Sequence, residues 1–440
     1  MDAKIAGKTL LMLGGYPLMK SAIDKAHSLG ARVIVTDWND DAPAKQWADE
    51  AYSVSTTDID ALERLAKNRL VDGVFLGYVD VNLVPGAVLC ERLDLPCYAT
   101  PEQFQRTLDK SSFKRLCIKY GVPSVETLAS GAVDIGTLAI EKWPVIIKPT
   151  DSYSSKGISV CFTRDEASRA IDEAKEVSPQ GEVIVEPFVR GDDVYLYFTV
   201  QDGVVSLSAM ADRMLHDPSG SEGYAPQPLL YMFPSKYLDL YYEQAHAAIQ
   251  RMVAGEGIRN GSFMMQGFVV QGKISFFEMG LRLTGGAGYI NIRHQNKIDQ
   301  LEMHIRYALG EGFGPWPILE YDCADFGKPA AVMVPLLTDG EIGRIDGISE
   351  IRSMKSFVDM NQLHTVGDVM QAMGTLNQSF ARIYLCAETE AELCESIIKI
   401  KSVLRVEDTE GNNMLLDWFS DDSLHEYVKD RREMRALKFA

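Results

Sequence analysis

The sequence predicts an α/β chain that continues as α+β: an open parallel α/β domain over residues 1–105, a longer α+β domain over 106–315 and a small α+β domain over 316–440. Three observations lead there. Short apolar runs alternate with helical patterns in the first hundred residues, as a parallel sheet with crossover helices requires. From residue 106 the texture changes to a lysine-rich helix followed by hairpins. A length of 440 residues also exceeds what one compact core usually fills, which points to two or three domains.

Taken in order, Thr9–Leu13 (TLLML) is the first strand, ending in Gly14-Gly15, and a helical pattern follows from Pro17 to Leu29. Arg32–Thr36 is the second strand and ends at Asp37; a helix around Ala61–Leu70 leads to a third, Gly73–Leu76. Asp37 stands where a dinucleotide-binding fold holds ribose, but the glycines lack GxGxxG spacing, so a tight strand-to-helix turn is preferred. Asp109–Tyr120 is the lysine-rich helix, stopped by Gly121-Val122-Pro123. Strands Val145–Lys148, Ile158–Phe162 and Val183–Glu186 come next, with a helix near 165–176. Tyr195–Val200 and Val204–Met210 form a hairpin turning at Gln201-Asp202-Gly203. A Pro/Gly/Ser-rich loop is expected over 216–235, as a lid or a surface excursion. Its aromatic residues Tyr224, Tyr231 and Phe233, with Tyr237 just beyond, either shape a pocket or pack the loop. Short strands (Ala331–Leu336, Ala381–Cys386) and a charged helix at 423–436 complete the chain.

Composition excludes several functions. With 62 acidic against 44 basic side chains the net charge is -18, which repels nucleic acid. No apolar run approaches the roughly 20 residues of a membrane span, and the N-terminus lacks signal-peptide features. Seven scattered cysteines without a CxxC pair argue against a disulfide framework or zinc ribbon, and a reducing cytoplasm is the simplest home.

Four segments carry the chemistry. In Val145–Ile158 (VIIKPTDSYSSKGI) a buried strand delivers Lys148 to a Ser/Gly loop whose amides can close over phosphate oxygens; no Walker A motif is present. The plainer reading is a solvated turn. In Val183–Asp193 (VIVEPFVRGDD) a strand ends at Glu186, where an acceptor and the main chain near Val189 suit an adenine edge and Asp193 suits ribose; solvated acids are the alternative. Ser262–Gly280 reads as a hairpin around Gln271-Gly272-Lys273. If Gly272 centres an odd-length loop, Gln266 falls opposite Glu278 at the roughly 5 Å of directly paired side chains, a setting for a hard divalent ion. A Glu278–Arg282 salt bridge is the competing reading. Finally, Arg282 precedes a glycine-rich turn (Leu283–Gly288) that suits a carboxylate or acyl phosphate, and Arg213 supplies another cation.

In this order the segments resemble the ATP-grasp superfamily over roughly residues 5–310, in the style of biotin carboxylase, carbamoyl phosphate synthetase and the L-amino-acid ligases. The resemblance implies two lobes within 106–315 holding nucleotide and metal between them, and a small closing domain at 316–440. It implies ATP phosphates on Lys114 and Lys148, with Ser152, Ser154, Ser155, Lys156 and Gly157 in the loop over them. Glu186, Pro187 and Val189 would meet adenine, and Asp193 ribose. Gln266 and Glu278 would hold Mg²⁺ or Mn²⁺. Gly280 stands where the family has Asn, which leaves one coordination position to water. Lys148 and Arg282 take catalytic roles; Arg213, Arg282, Gly285 and Gly286 bind substrate.

The reaction so implied is phosphorylation of a carboxylate and capture of the acyl phosphate by an amine or ammonia, giving an amide, ADP and phosphate. Bicarbonate phosphorylation in the manner of carbamoyl phosphate synthetase, a nucleotide-binding protein with an inactive metal site, and a dinucleotide-dependent oxidoreductase are the alternatives. Partners are a small carboxylate and an amine, with no nucleic acid or membrane. Many relatives dimerise, so a homodimer is compatible.

Overall fold

A computed structural model describes residues 4–152, 156–216, 227–286, 288–314, 316–371, 376–416 and 418–436. Strands β1 (Thr9–Leu13), β2 (Arg32–Thr36), β3 (Glu50–Tyr52) and β4 (Gly73–Phe75) make the expected parallel sheet, ordered β3-β2-β1-β4. Both of its faces are covered, as the near-continuous apolar β1 demands: Leu10 and Met12 pack to one side, Leu11 and Leu13 to the other.

A second, antiparallel sheet is built from β5 (Ala129–Gly131), β6 (Val145–Pro149), β7 (Ser159–Cys161) and β8 (Val183–Pro187), ordered β5-β8-β6-β7. The Arg164–Val177 helix closes one face. Its Ala167, Ala170, Ile171 and Ala174 stripe recurs at helical spacing and packs on Val145, Ile147, Val183 and Val185. Thr163 caps the helix by accepting from the Glu166 N–H.

The remaining strands are β9 (Asp192–Gln201), β10 (Val204–His216), β11 (Gln227–Phe233), β12 (Gly261–Val270), β13 (Lys273–Gly280), β14 (Ala330–Met333), β15 (Gly340–Asp346), β16 (Phe357–Gln362), β17 (Val369–Met370), β18 (Ala381–Cys386) and β19 (Arg405–Asp408). Eight of them form one antiparallel sheet, β13-β12-β9-β10-β11-β14-β18-β16, and β17-β15-β19 form a small fourth sheet. Because β11 pairs with β14, the large sheet runs straight past residue 315, so the boundary expected there falls between strands of one sheet.

Part of the 216–235 loop is not a loop. Gln227–Phe233 is wholly buried and hydrogen-bonded on both edges, to β10 and to β14, so Tyr231 and Phe233 are strand residues. Their apolar run QPLLYMF satisfies its backbone in the sheet, which a surface loop would leave to water. Tyr224 lies outside the described residues.

The Asp421–Ala436 helix docks on the far side of β10. Arg431, 0% exposed, pairs with Asp212 at 2.6 Å and donates to the Pro234 carbonyl at 2.5 Å. Among the described residues no helix is long and apolar enough to cross a membrane.

Candidate active site

The site begins on the face of the small sheet turned away from its helix. Side chains alternate along a strand, so Val145 and Ile147 go under the helix while Lys148 and, on β8, Glu186 go to the other face. Lys148 Nζ lies 2.8 Å from Glu186 Oε2, and Lys114 Nζ lies 2.6 Å from Oε1. Lys114, on the Lys110–Tyr120 helix, also donates to the Val125 carbonyl at 2.6 Å. Burial alone would raise the Glu186 carboxyl's pKa, but the Lys148 and Lys114 ammoniums outweigh it and hold it below the usual carboxylate range. The same burial lowers the Lys114 pKa, opposed by Glu186.

Glu186, expected on the adenine amino group, is 1% exposed and its carboxylate is committed to two lysines. Its strand position aims it at the ammoniums. In the Pro187–Val189 segment that follows, the Phe188 N–H is bonded to the Pro144 carbonyl at 3.0 Å.

A third lysine joins them that the sequence reading did not select. Lys110 stands one turn before Lys114, and its Nζ donates to the Ser152 carbonyl at 3.1 Å. Burial lowers its pKa; Glu278, Lys148 and Asp80 are among the charges acting on it. The i,i+4 spacing to Lys114 was the available signal, since such residues share a helix face. In the loop, Ser152 Oγ donates to the Lys156 carbonyl at 2.8 Å. Gly157 is left-handed at φ 71°, and a Cβ there would meet Pro149 Cγ at 2.9 Å, so glycine is required. Ser154 and Ser155 lie outside the described residues.

The large sheet supplies the opposite wall. Gln266 does face Glu278, but by another route than an odd-length loop. Gln271 and Gly272, both left-handed (φ 49° and 72°), make a two-residue turn pairing Val270 with Lys273. A bulge between Gln266 and Gly267 then leaves Phe277 unpaired and restores the Gln266–Glu278 register. The Phe277 ring stacks on Phe268 with centroids 4.8 Å apart, and Lys148 Nζ lies 5.0 Å from its centre. Lys148 of the small sheet and Glu278 of the large one thus face a common cleft.

Two arginines in that cleft are already paired. Arg213 grips Asp193 at two points, Nε–Oδ1 2.5 Å and Nη2–Oδ2 2.9 Å, and donates to Gln266 Oε1 at 2.9 Å. Asp193, expected on ribose, is 5% exposed and held by Arg213, because a bulge in β10 sets the two residues opposite each other. Arg213, expected on substrate, here anchors Asp193 and Gln266. Arg282 binds Asp80 at 2.6 and 2.7 Å rather than Glu278. Asp80 comes from the N-terminal domain just after β4; no local motif announces it.

In the glycine-rich turn, Gly286 offers its carbonyl to Tyr384 Oη at 2.9 Å, and a Cβ on Gly285 would find only the Tyr78 carbonyl, at 3.9 Å. Gly288 is the residue packing demands: a Cβ there would meet the Tyr197 ring at 2.2 Å.

The donor set suits a sparsely held Mg²⁺, which takes one or two carboxylates and completes its shell with phosphate oxygens and water. Glu278 supplies the carboxylate. Gln266 adds an amide whose Nε2 is 3.4 Å from Glu278 Oε2. Beside Gly280, where the resemblance would place Asn, Met264 Cε comes within 3.0 Å of where a Cβ would stand. Among the described residues no group of three His, Cys, Asp or Glu side chains could hold a metal alone.

Known proteins share this architecture. The biotin carboxylase domain of 2-oxoglutarate carboxylase from Hydrogenobacter thermophilus superposes with a TM-score of 0.76 at 16% identity, covering 97% of this chain and 95% of that one. The L-amino acid ligase of Bacillus licheniformis gives 0.72 at 16% identity, covering 92% and 99%. This chain has the ATP-grasp fold. No family model matches it. By sequence the ATP-grasp chain is 27% identical, over 358 residues, to the formate-dependent phosphoribosylglycinamide formyltransferase of Actinobacillus pleuropneumoniae serotype 3, covering 78% of this chain and 84% of that protein.

Proposed function

We propose that this ATP-grasp protein is an ATP-dependent carboxylate–amine ligase that makes an amide through an acyl phosphate and releases ADP and phosphate. The observation that carries the reading is the meeting of Lys110 and Lys148, from one side of the cleft, with Glu278 from the other. Three ammoniums against so few carboxylates suit a polyphosphate. Phosphate oxygens compete with Glu186 for Lys114 and Lys148, and Lys110, whose Nζ donates to the Ser152 carbonyl, stands beside them. When bound at Glu278 and Gln266, Mg²⁺ supplies charge neutralisation to the β- and γ-phosphates.

A substrate carboxylate oxygen then forms a bond to the γ-phosphorus in line while the bond to the β-γ bridging oxygen breaks and ADP leaves. The amine lone pair attacks the acyl carbon and phosphate departs with the bonding pair. Arg282, fixed by Asp80, donates N–H groups to the oxygen on which charge develops. No protein nucleophile is needed. Formate is the favoured acid, because the relative that aligns over 78% of this chain is named as formate-dependent.

Lys148→Ala and Glu278→Ala should each lower formate- and amine-dependent ADP release by at least about 100-fold with the melting transition still cooperative. Full turnover by both variants would refute the proposal.

A further inference from the structure

Cys90 and Cys97 meet although six residues separate them. Cys90 lies near the end of the Leu83–Leu93 helix, where Asp94 turns left-handed (φ 53°) and the Leu95 N–H donates back to the Cys90 carbonyl at 2.9 Å. That reversal returns the chain over the helix end and brings the two free thiols into hydrogen-bonding contact. Their surroundings differ. Cys90 is 1% exposed, whereas Cys97 is half-buried and lines a cavity with Phe75, Gly77, Tyr98, His304 and Tyr307. The cavity has a second polar wall in His304, whose Nε2 has no hydrogen-bond partner.

The contact also divides the roles. Cys97 Sγ accepts from the Cys90 thiol and from the backbone N–H groups of Ala99 and Tyr98, and these together lower its pKa against the effect of burial. The same contact, with burial, raises that of Cys90. The sulfur that lines the cavity is thus the one favoured as thiolate, the form that reacts, and a second sulfur stands within reach of it.

We propose that Cys97 and Cys90 form a reversible disulfide when the protein meets a hydroperoxide, with Cys97 oxidised first. The Cys97 thiolate attacks one peroxide oxygen and the O–O bond breaks. Cys97 becomes a sulfenic acid, and the departing hydroxide takes up the proton that Cys97 had released. The Cys90 sulfur then bonds to the Cys97 sulfur, the S–O bond breaks, and hydroxide leaves as water with the Cys90 proton. Two thiols are oxidised and one hydrogen peroxide is reduced to two waters. The absence of a disulfide framework fits this, since disulfides in a reducing compartment are transient.

The modification has a route to the cleft. Tyr98 Oη donates to the Leu281 carbonyl at 3.2 Å, one residue before Arg282. Oxidation removes the charge that the Tyr98 and Ala99 N–H groups bind, so the segment that holds Leu281 loses its anchor. This link rests on the ligase reading above; the thiol chemistry does not.

The test treats the full chain with hydrogen peroxide, alkylates it with iodoacetamide and maps it after trypsin, which cuts after Arg92 between the two cysteines. The first product should be a pair of peptides joined through Cys90 and Cys97 and separated by dithiothreitol. In Cys90→Ala, dimedone should label Cys97 as the sulfenic acid. First oxidation at the exposed Cys323, or no joined pair in the natural protein, would overturn the proposal without recourse to a variant. Peroxide should also slow ADP release by about threefold or more, reversibly with dithiothreitol, in the natural protein but not in Cys97→Ala. Equal slowing of Cys97→Ala would overturn the link to Arg282. No ADP release by the untreated protein would instead sink the ligase reading, with the peptide map still deciding the disulfide.

Discussion

The two sheets that face each other across the cleft hold their charge differently. On the small sheet's side, Lys114 and Lys148 divide one carboxylate, Glu186, between them, so the set keeps a net positive charge. On the large sheet's side Arg213 of β10 and Arg282, just after β13, each have a whole aspartate in a two-point grip. A shared carboxylate can be displaced by phosphate oxygens, because each ammonium is only half compensated. A two-point arginine–aspartate pair is fixed in direction and neutral overall. The first arrangement is suited to binding and the second to positioning.

Removing the shared partner should break that contrast most severely. Glu186→Gln leaves two buried ammoniums without a counter-ion and should cost about 3–5 kcal/mol in urea-unfolding measurements. The pH dependence has a definite sign. A carboxyl whose pKa is depressed by folding stabilises fully above its unfolded value, and that contribution is lost as pH falls through the folded value. The natural protein should therefore lose stability below about pH 4.3 more steeply than Glu186→Gln, and coincident acid profiles would contradict the shared-charge account. Asp80→Asn tests the other arrangement. It releases Arg282 without emptying the cleft of cations, so kcat/KM for ADP release should fall about tenfold, and the uncompensated guanidinium should lower the melting temperature, though less than Glu186→Gln does because only one cation loses its partner. An unaltered kcat/KM would mean that the aspartate does not position Arg282. The smallest effect is expected from Gly280→Asn, which restores a third oxygen donor beside Glu278. The obstacle is the flexible end of Met264 at 3.0 Å, which can move aside. The Mg²⁺ concentration for half-maximal activity should drop by up to about tenfold; no change in a Mg²⁺ titration would show that this position does not limit metal binding.

What could be read from the sequence was local. Alternating apolar runs gave the parallel sheet, and the Val145–Lys148 and Val183–Glu186 strands placed Lys148 and Glu186 on one face. Gln266 and Glu278 were legible as a pair because hairpin register is local, although the bulge that sets it was not. The commitment of Asp193 to Arg213 depends on another bulge, between Leu207 and Ala209, that no turn residue marks. Asp80 was missed for a different reason. It lies 202 positions before Arg282, so only tertiary packing brings the two together. Gln227–Phe233 was misread because proline, glycine and serine around it suggested a loop, while pairing on both edges decided otherwise.

Asp212 and Arg213 are consecutive and so point to opposite sides of β10. Arg213 orients the Gln266 amide, whereas Asp212, 2% exposed, is neutralised by Arg431 of the last helix. One peptide unit therefore couples the Asp421–Ala436 helix to the cleft. Trimming upstream of Arg431 would strand a buried anion behind β10, and the damage would register first in metal and nucleotide affinity rather than at the truncated surface.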